Sequence, residues 1–188
     1  MGKIIYWVHQ SVDGFIEGPK GEFDWPVMGK ELSAYSLELT ERAGAFLYGR
    51  TVWELMSYYW PRAESISDDP HDLAFAPVWR RTPKIVFSRT LEQPEGNVRV
   101  IGGDLEEEVT TLKLSPGKDL LLMGGSTLSA ALTDLGLIDE YHIVVHPVVL
   151  GGGRPLFLQG KDRLNLQFVE SRSFDARTVL LRYERPAG

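Results

Sequence analysis

Cysteine is missing altogether from this chain of 188 residues, and histidine occurs only four times. The first absence removes disulfides, thiol nucleophiles and cysteine-ligated zinc, and it agrees with a reducing cytoplasm. Basic residues are outnumbered: Lys and Arg total 20 against 26 Asp and Glu, a formal net charge of −6. A nucleic-acid or anionic-membrane surface is therefore a poor default, and any phosphate bound here must meet a local basic or N–H-lined site. No apolar run approaches membrane-spanning length, and MGKIIYWVHQ is too short and too soon polar for a signal peptide. Neither GxGxxG nor GxSxG occurs, which disfavours a Rossmann dinucleotide fold and a hydrolase nucleophile elbow. There is no internal repeat, low-complexity stretch or interdomain linker. The expectation is one cytoplasmic domain over residues 1–188, with 43% hydrophobic and 24% charged residues supporting an ordinary core.

What is present is an alternation of β and α signals. Residues 3–10 read as a β-branched and aromatic strand, and 11–25, with three glycines and a proline, as a long loop. Apolar positions at Leu32, Tyr35, Leu37 and Leu39 predict a helix over 29–43, and AFLYG (45–49) reads as a buried strand. In TVWELMSYYW (51–60), Thr51 followed three residues later by Glu54 has the pattern of a capping box. Residues 62–72 read as a polar surface loop, Leu73 to Trp79 as a brief helix, and 83–88 and 97–101 as strands. A helix over 104–113 starts with Asp104 as its cap. After a strand over 119–123 and a helix over 126–135, EYHIVVHPVVL, RLNLQFVESRSF and TVLLRYER succeed one another with no helix between them. They predict antiparallel strands closing the sheet, with GGGRPLF (151–157) as a glycine loop. The fold class that follows is α/β: a three-layer α/β/α arrangement with a central, mostly parallel sheet and an antiparallel C-terminal edge.

The densest signal lies between residues 119 and 136. Leu120, Leu121, Leu122 and Met123 form an apolar run suited to a buried parallel strand. Gly124 and Gly125 carry no Cβ, so a ligand can approach the backbone closely. Ser126 is placed to cap the next helix, whose first N–H groups carry partial positive charge. Such a place holds a phosphate without a basic side chain, although a plain helix cap after a strand has the same signature. Arg50 and Arg89 each stand just beyond a buried strand. They would project from the carboxyl edge of a parallel sheet, where ligands bind and where a guanidinium fork suits a phosphate. A solvated surface arginine is the alternative at each.

Read in order, SVDGFIEG (11–18), LYGRTVWE (47–54), KIVFSRT (84–90), MGGSTLSAAL (123–132) and LIDEYHIVVHPVVLGGGRPLF (137–157) resemble the dihydrofolate reductase superfamily. More closely, they resemble its branch that includes the reductase domain of bacterial riboflavin biosynthesis. The resemblance covers nearly the whole chain. It implies a reductase that binds NADPH, passes hydride to a small heterocycle of pterin or 5-amino-6-(5-phosphoribosylamino)uracil type, and forms a homodimer through its last strands. It also implies cofactor contacts: Gly49, Arg50 and Thr51 with phosphates, Ser88, Arg89 and Thr90 with the adenosine 2′-phosphate, and Gly124, Gly125, Ser126, Thr127 and Leu128 with the pyrophosphate. Val8 and His9 would meet the nicotinamide carboxamide through backbone groups, with Ile16, Glu17 and Gly18 against the ring and ribose. The glycine-rich stretch 14–21 would act as a lid.

Proton delivery has four candidates: Asp13, Asp24, Glu31 and His9. Asp13 precedes Gly14 and so also suits a turn, Asp24 leads with Trp25 toward the first helix and the substrate, and Glu31 sits in a helix first turn that favours acids anyway. The named relatives usually carry Lys where this chain has Trp7 and Glu where it has Met123, residues expected to recognise a phosphorylated ribosylamino-uracil. A cofactor-binding sensor or accessory protein without turnover is the alternative function, and reductive drug modification a third. His142 and His146 share a strand face about 13 Å apart, a poor metal pair. Tyr58, Tyr59, Trp60 and Trp79 suit either ring stacking or core packing. No metal, nucleic-acid or membrane partner is expected.

Overall fold

A computed structural model describes residues 2–160 and 162–186. In chain order its elements are β1 (Ile4–Ser11), β2 (Phe15–Glu17), α1 (Lys30–Arg42), β3 (Ala45–Gly49), α2 (Arg50–Tyr59), α3 (Ala63–Ile66), α4 (Pro70–Arg81) and β4 (Lys84–Phe87). These are followed by β5 (Val98–Ile101), α5 (Leu105–Leu114), β6 (Leu120–Gly124), α6 (Ser126–Asp134), β7 (Glu140–His146), β8 (Arg154–Pro155), β9 (Gln167–Phe174) and β10 (Thr178–Glu184). Eight strands form one sheet in the order β5-β4-β3-β6-β1-β7-β10-β9, and β2 pairs with β8 apart from it. No described helix is long and apolar enough to cross a membrane.

Side chains alternate between the two sheet faces, and each face builds its own core. Ile4, Tyr6, Leu47, Leu122 and Ile143 meet Leu128 and Leu132 of α6 and Val109 of α5. Ile5, Trp7, Phe46, Leu121 and Val144 meet Leu32 of α1, Trp53 of α2 and Phe75 and Trp79 of α4. Strands buried on both faces need continuous apolar sequence, which is what β3 and the first half of β6 provide.

The strand directions correct one expectation. β7 runs parallel to β1, and only β10 and β9 are antiparallel to their neighbours. α6 returns the chain to the far end of the sheet before β7 begins, and a strand that follows a helical crossover starts again in the parallel direction. Other differences concern helix starts. The stretch 62–72 is not loop throughout, because Asp69 accepts the His71 N–H at 2.8 Å and Pro70 opens a 12-residue helix. Thr51 and Glu54 form no capping box: Gly49 is the N-cap, and Glu54 takes the Arg50 guanidinium at 2.7 Å instead. Ser126 is likewise inside its helix, with Gly125 as the N-cap. Asp104 does cap α5, accepting the Glu107 N–H at 3.0 Å.

Candidate cofactor and substrate site

The carboxyl ends of β4, β3, β6, β1 and β7 lie side by side along one edge of the sheet. Two helices leave this edge from adjacent strands, α2 from β3 and α6 from β6. Both have glycine N-caps with no side-chain cap hydrogen bond. The other helices longer than one turn are capped differently: Asp69 and Asp104 serve α4 and α5 from their own N-cap positions. Asp175, from the β9–β10 turn, serves α1, accepting the N–H groups of Glu31 and Leu32 at 2.9 and 3.1 Å. The helix starts left open are therefore the two on neighbouring strand tips, where their N–H groups and dipoles favour an anion.

The tips also approach closely. A Cβ on Gly125 would lie 3.5 Å from the Gly49 Cα, and Gly125 has φ +98°, so the backbone here is bare and glycine-dependent. Arg50, at the first position of α2, donates to Thr90 Oγ1 at 2.6 Å and thereby joins the β3 and β4 tips. Ser88 Oγ accepts from the N–H groups of Thr90 and Leu91, at 3.2 and 3.0 Å, and fixes the turn after β4. Arg89 is exposed with no side-chain partner among the described residues, Thr51 and Thr127 are exposed, and Leu128 is buried under the Gly49–Gly125 contact. The candidates 49–51, 88–90 and 124–128 thus gather on one edge. These open amides, the glycine cradle and the nearby arginines fit the diphosphate of a dinucleotide.

The loop after β1 folds back over the same edge. Gly18, at the end of β2, is buried, while Ile16 and Glu17 are half-buried, with Ile16 packed on the α6-side core. Arg154 of β8 donates to Glu17 at 2.7 Å and to Ser126 Oγ at 3.1 Å, tying the loop to the start of α6. Arg154 had no motif to mark it; its position directly after three glycines was its only signal. Asp13 accepts the N–H groups of Leu150 and Gly151, at 3.1 and 2.8 Å, so it anchors the 147–153 loop. A Ser11 hydrogen bond first, and those two N–H groups, hold its carboxyl below the usual carboxylate range, which disfavours it as an acid.

Glu31 is also engaged in structure: its carboxylate accepts the Asp175 N–H in return for the Asp175 cap on α1. Asp24 is exposed and forms no hydrogen bond within the described residues. Trp25 is half-buried and stands roughly perpendicular to the His146 ring, the ring centroids 5.6 Å apart. Val8 is buried on the α6 side, whereas His9 follows Trp7 on the α1 side, with its ring edge-on to Trp7 at 5.1 Å. His9 Nδ1 and His146 Nε2 are 2.8 Å apart. His142 is separate, held between Tyr35 and Glu140 at 3.0 Å each. No group of three metal-ligating side chains occurs among the described residues.

The aromatic candidates divide. Trp79 is core, donating to the buried Tyr48 hydroxyl at 3.0 Å, and Tyr59 binds Asp72 of α4. Tyr58 is exposed beneath the Arg62 guanidinium, and Trp60 is half-buried with its indole N–H on Met56.

The architecture is that of the dihydrofolate reductase fold. A dihydrofolate reductase from Enterococcus faecalis, solved with NADP(H) and RAB-propyl, aligns over 99% of this chain and 98% of its own, with TM-score 0.66 and 16% identity. A Shewanella sp. PV-4 protein provisionally assigned to riboflavin biosynthesis aligns over the whole of both chains, with TM-score 0.76 and 24% identity. RibD from Acinetobacter baumannii aligns over 99% of this chain and 58% of its own, with TM-score 0.65 and 21% identity. The RibD C-terminal domain model matches residues 2–180, and the chain belongs to that family. YyaP of Bacillus subtilis (strain 168), an uncharacterized protein, is 36% identical over 96% of this chain and 94% of its own length.

Proposed function

We propose that this protein is an NADPH-dependent reductase of a small heterocycle of pterin or pyrimidine type. The observation that carries the reading is the pair of uncapped helix starts on adjacent strand tips, with Arg50 and Arg89 beside them. Bound NADPH would supply the hydride. The protein's part is to hold the diphosphate on amides, to place cations near the adenosine ribose, and to close the glycine-rich stretch 14–21 over the reacting ring so that water is excluded. Membership of the RibD C-terminal domain family and the fold shared with an NADP(H)-bound dihydrofolate reductase support the cofactor.

The substrate face is less polar than a phosphoribosyl group requires. Trp7 is 5% exposed against Tyr35 and His9, and Met123 packs in the same apolar cluster. A flat, uncharged ring beside the half-buried Trp25 suits this surface better than a phosphorylated sugar. Trp7 and Met123, standing where the relatives usually carry Lys and Glu, favour the second reading, a cofactor-binding sensor or accessory protein without turnover. NADPH consumption with any pterin, aminouracil or quinone removes that alternative.

Calorimetric titration with NADPH and NADH tests the cofactor. NADPH is expected to bind well below millimolar, and Arg89→Ala to weaken NADPH about tenfold or more while leaving NADH nearly unchanged, the signature of a lost 2′-phosphate contact. Equal losses for both would remove Arg89 from that role, and no binding of either would overturn the reading.

A further inference from the structure

Arg154 reaches the start of α6 through a close approach of two backbones. It follows Gly153, which holds φ +121°, and a Cβ there would fall 2.0 Å from the Glu17 carbonyl oxygen. Only glycine lets β8 lie this near the loop after β1. Two further ties fasten β8 to that loop: Glu17 pairs with Arg154 in register, and the Leu156 N–H donates to the Gly14 carbonyl at 2.9 Å. The Arg154 guanidinium then stands between two partners, with Nε on the Glu17 carboxylate at 2.7 Å and Nη1 on Ser126 Oγ at 3.1 Å. Among the described residues Nη2 has no partner. The other two arginines of this edge are placed differently. Arg50 is turned to Glu54 and Thr90, and Arg89 stands in the turn after β4, whereas Arg154 touches the first residue of α6 itself. A single guanidinium thus links the Glu17 carboxylate to the open N–H groups of α6. An acid so placed opposes an anion on those groups unless a cation lies between them.

We propose that Arg154 is a cofactor-binding residue whose guanidinium takes the diphosphate at the α6 start while it holds Glu17, and so fastens the 14–21 stretch over the bound cofactor. The proposal rests on the reductase reading. A planar fork with donors on more than one edge serves two anions at once, which a point charge on a flexible stem does less well. Nη2 is the donor left for a diphosphate oxygen, and Nε stays with Glu17. Each anion orders the side chain for the other, because its rotamer freedom is lost only once. Cofactor binding and closure of the loop therefore favour each other. Arg154 also screens the Glu17 carboxylate from the diphosphate, so its removal takes away an attraction and exposes a repulsion together.

The test is calorimetry with NADPH and NADH, joined to amide hydrogen exchange over residues 14–21. Both dinucleotides carry the diphosphate, so Arg154→Ala should weaken each about tenfold or more, unlike Arg89→Ala, which is expected to spare NADH. NADPH should slow exchange in the wild-type 14–21 stretch about tenfold or more, and saturated Arg154→Ala should lose most of that slowing. Adding Glu17→Gln to Arg154→Ala should restore part of the NADPH affinity, because the unscreened carboxylate is gone. A broken strut, by contrast, is not repaired by removing its other half. Arg154→Lys carries the test should the alanine variant fail to fold: it keeps the charge, and with it most of the NADPH affinity, but should lose the slowing of exchange. Three results would overturn the proposal: affinities in Arg154→Ala within about twofold of wild type, a double variant that binds NADPH no tighter than the single one, or a lysine variant with undiminished loop protection. A loss confined to NADPH would move Arg154 to the 2′-phosphate and overturn its diphosphate role. Wild-type protein that binds neither dinucleotide would instead overturn the reductase reading, and the role of Arg154 with it.

Discussion

Asp175 and Glu31 stand 144 residues apart in sequence, yet each satisfies the other's backbone. The Asp175 carboxylate takes two N–H groups at the start of α1, and the Glu31 carboxylate takes the Asp175 N–H. This is a capping box assembled across the fold, and it explains two neighbours. Gly29 leaves room for the Asp175 carboxylate, because a Cβ there would fall 2.3 Å from Asp175 Cγ. Asp175 and Ala176 hold φ values of 55° and 49°, the left-handed pair at the centre of the turn that the Arg177 N–H closes onto the Phe174 carbonyl. Asp175→Ala should therefore cost about 1–2 kcal/mol in chemical denaturation, with Asp175→Asn costing less because Asn retains a cap acceptor and tolerates the left-handed region. Glu31→Gln should lower stability slightly and leave any reductase rate within about twofold; a loss of about a hundredfold would restore Glu31 as the acid. The sequence showed an acid in a helix first turn and nothing of its partner, since a cap from another strand pair leaves no local pattern.

Helices and strands were legible where local chemistry set them and obscure where partners did. Asp104 before Leu105 announced α5, and the apolar runs of β3 and β6 announced buried strands. Thr51 with Glu54 imitated a capping box, but Arg50 claimed the glutamate and left the α2 start open. That failure is informative, since an N-terminus without its own cap is available to a ligand. The same holds for Ser126, which lies one residue inside its helix and hydrogen-bonds Arg154. Gly125→Ala tests the element as a whole. The methyl would enter the Gly49–Gly125 contact at a φ of +98°, at a conformational cost of about 1–2 kcal/mol. It should raise the NADPH Kd at least about tenfold by calorimetry, out of proportion to a modest fall in Tm. A variant with a lowered Tm but unchanged NADPH affinity would show that the cradle is structural only.

At the scale of the molecule, buried ionisable groups tilt the stability curve toward alkaline pH. His146, 1% exposed, is held down to about 4 by burial and by Arg177, and His9 is lowered with it. The unfolded chain binds protons at these sites below about pH 6.5 while the folded chain does not, so stability falls as pH drops through that window. His146 alone would remove about 2–3 kcal/mol by pH 4.5, at about 1.4 kcal/mol per unit of pKa difference. Glu140 adds a steeper loss further down: hydrogen bonds from His142 and then Lys3 hold it at about 2, so its contribution disappears as pH falls from the ordinary glutamate range toward that value. Lys84 acts on the other side. Burial lowers it to about 8 over the Trp79 ring, so the folded chain sheds this proton before the unfolded one, and stability rises between about 8 and about 10.5. Above about pH 10 the sign reverses, because Tyr6 and Tyr35 are raised to about 12 by burial and stay protonated when the unfolded tyrosines do not. Melting curves across pH 4 to 11 should thus peak between about pH 8 and 10, and His146→Asn should flatten the limb between about 6.5 and 4.5 while sparing the alkaline rise. A peak near the isoelectric point of about 5.3 would instead mean that net charge, not these buried groups, governs the curve.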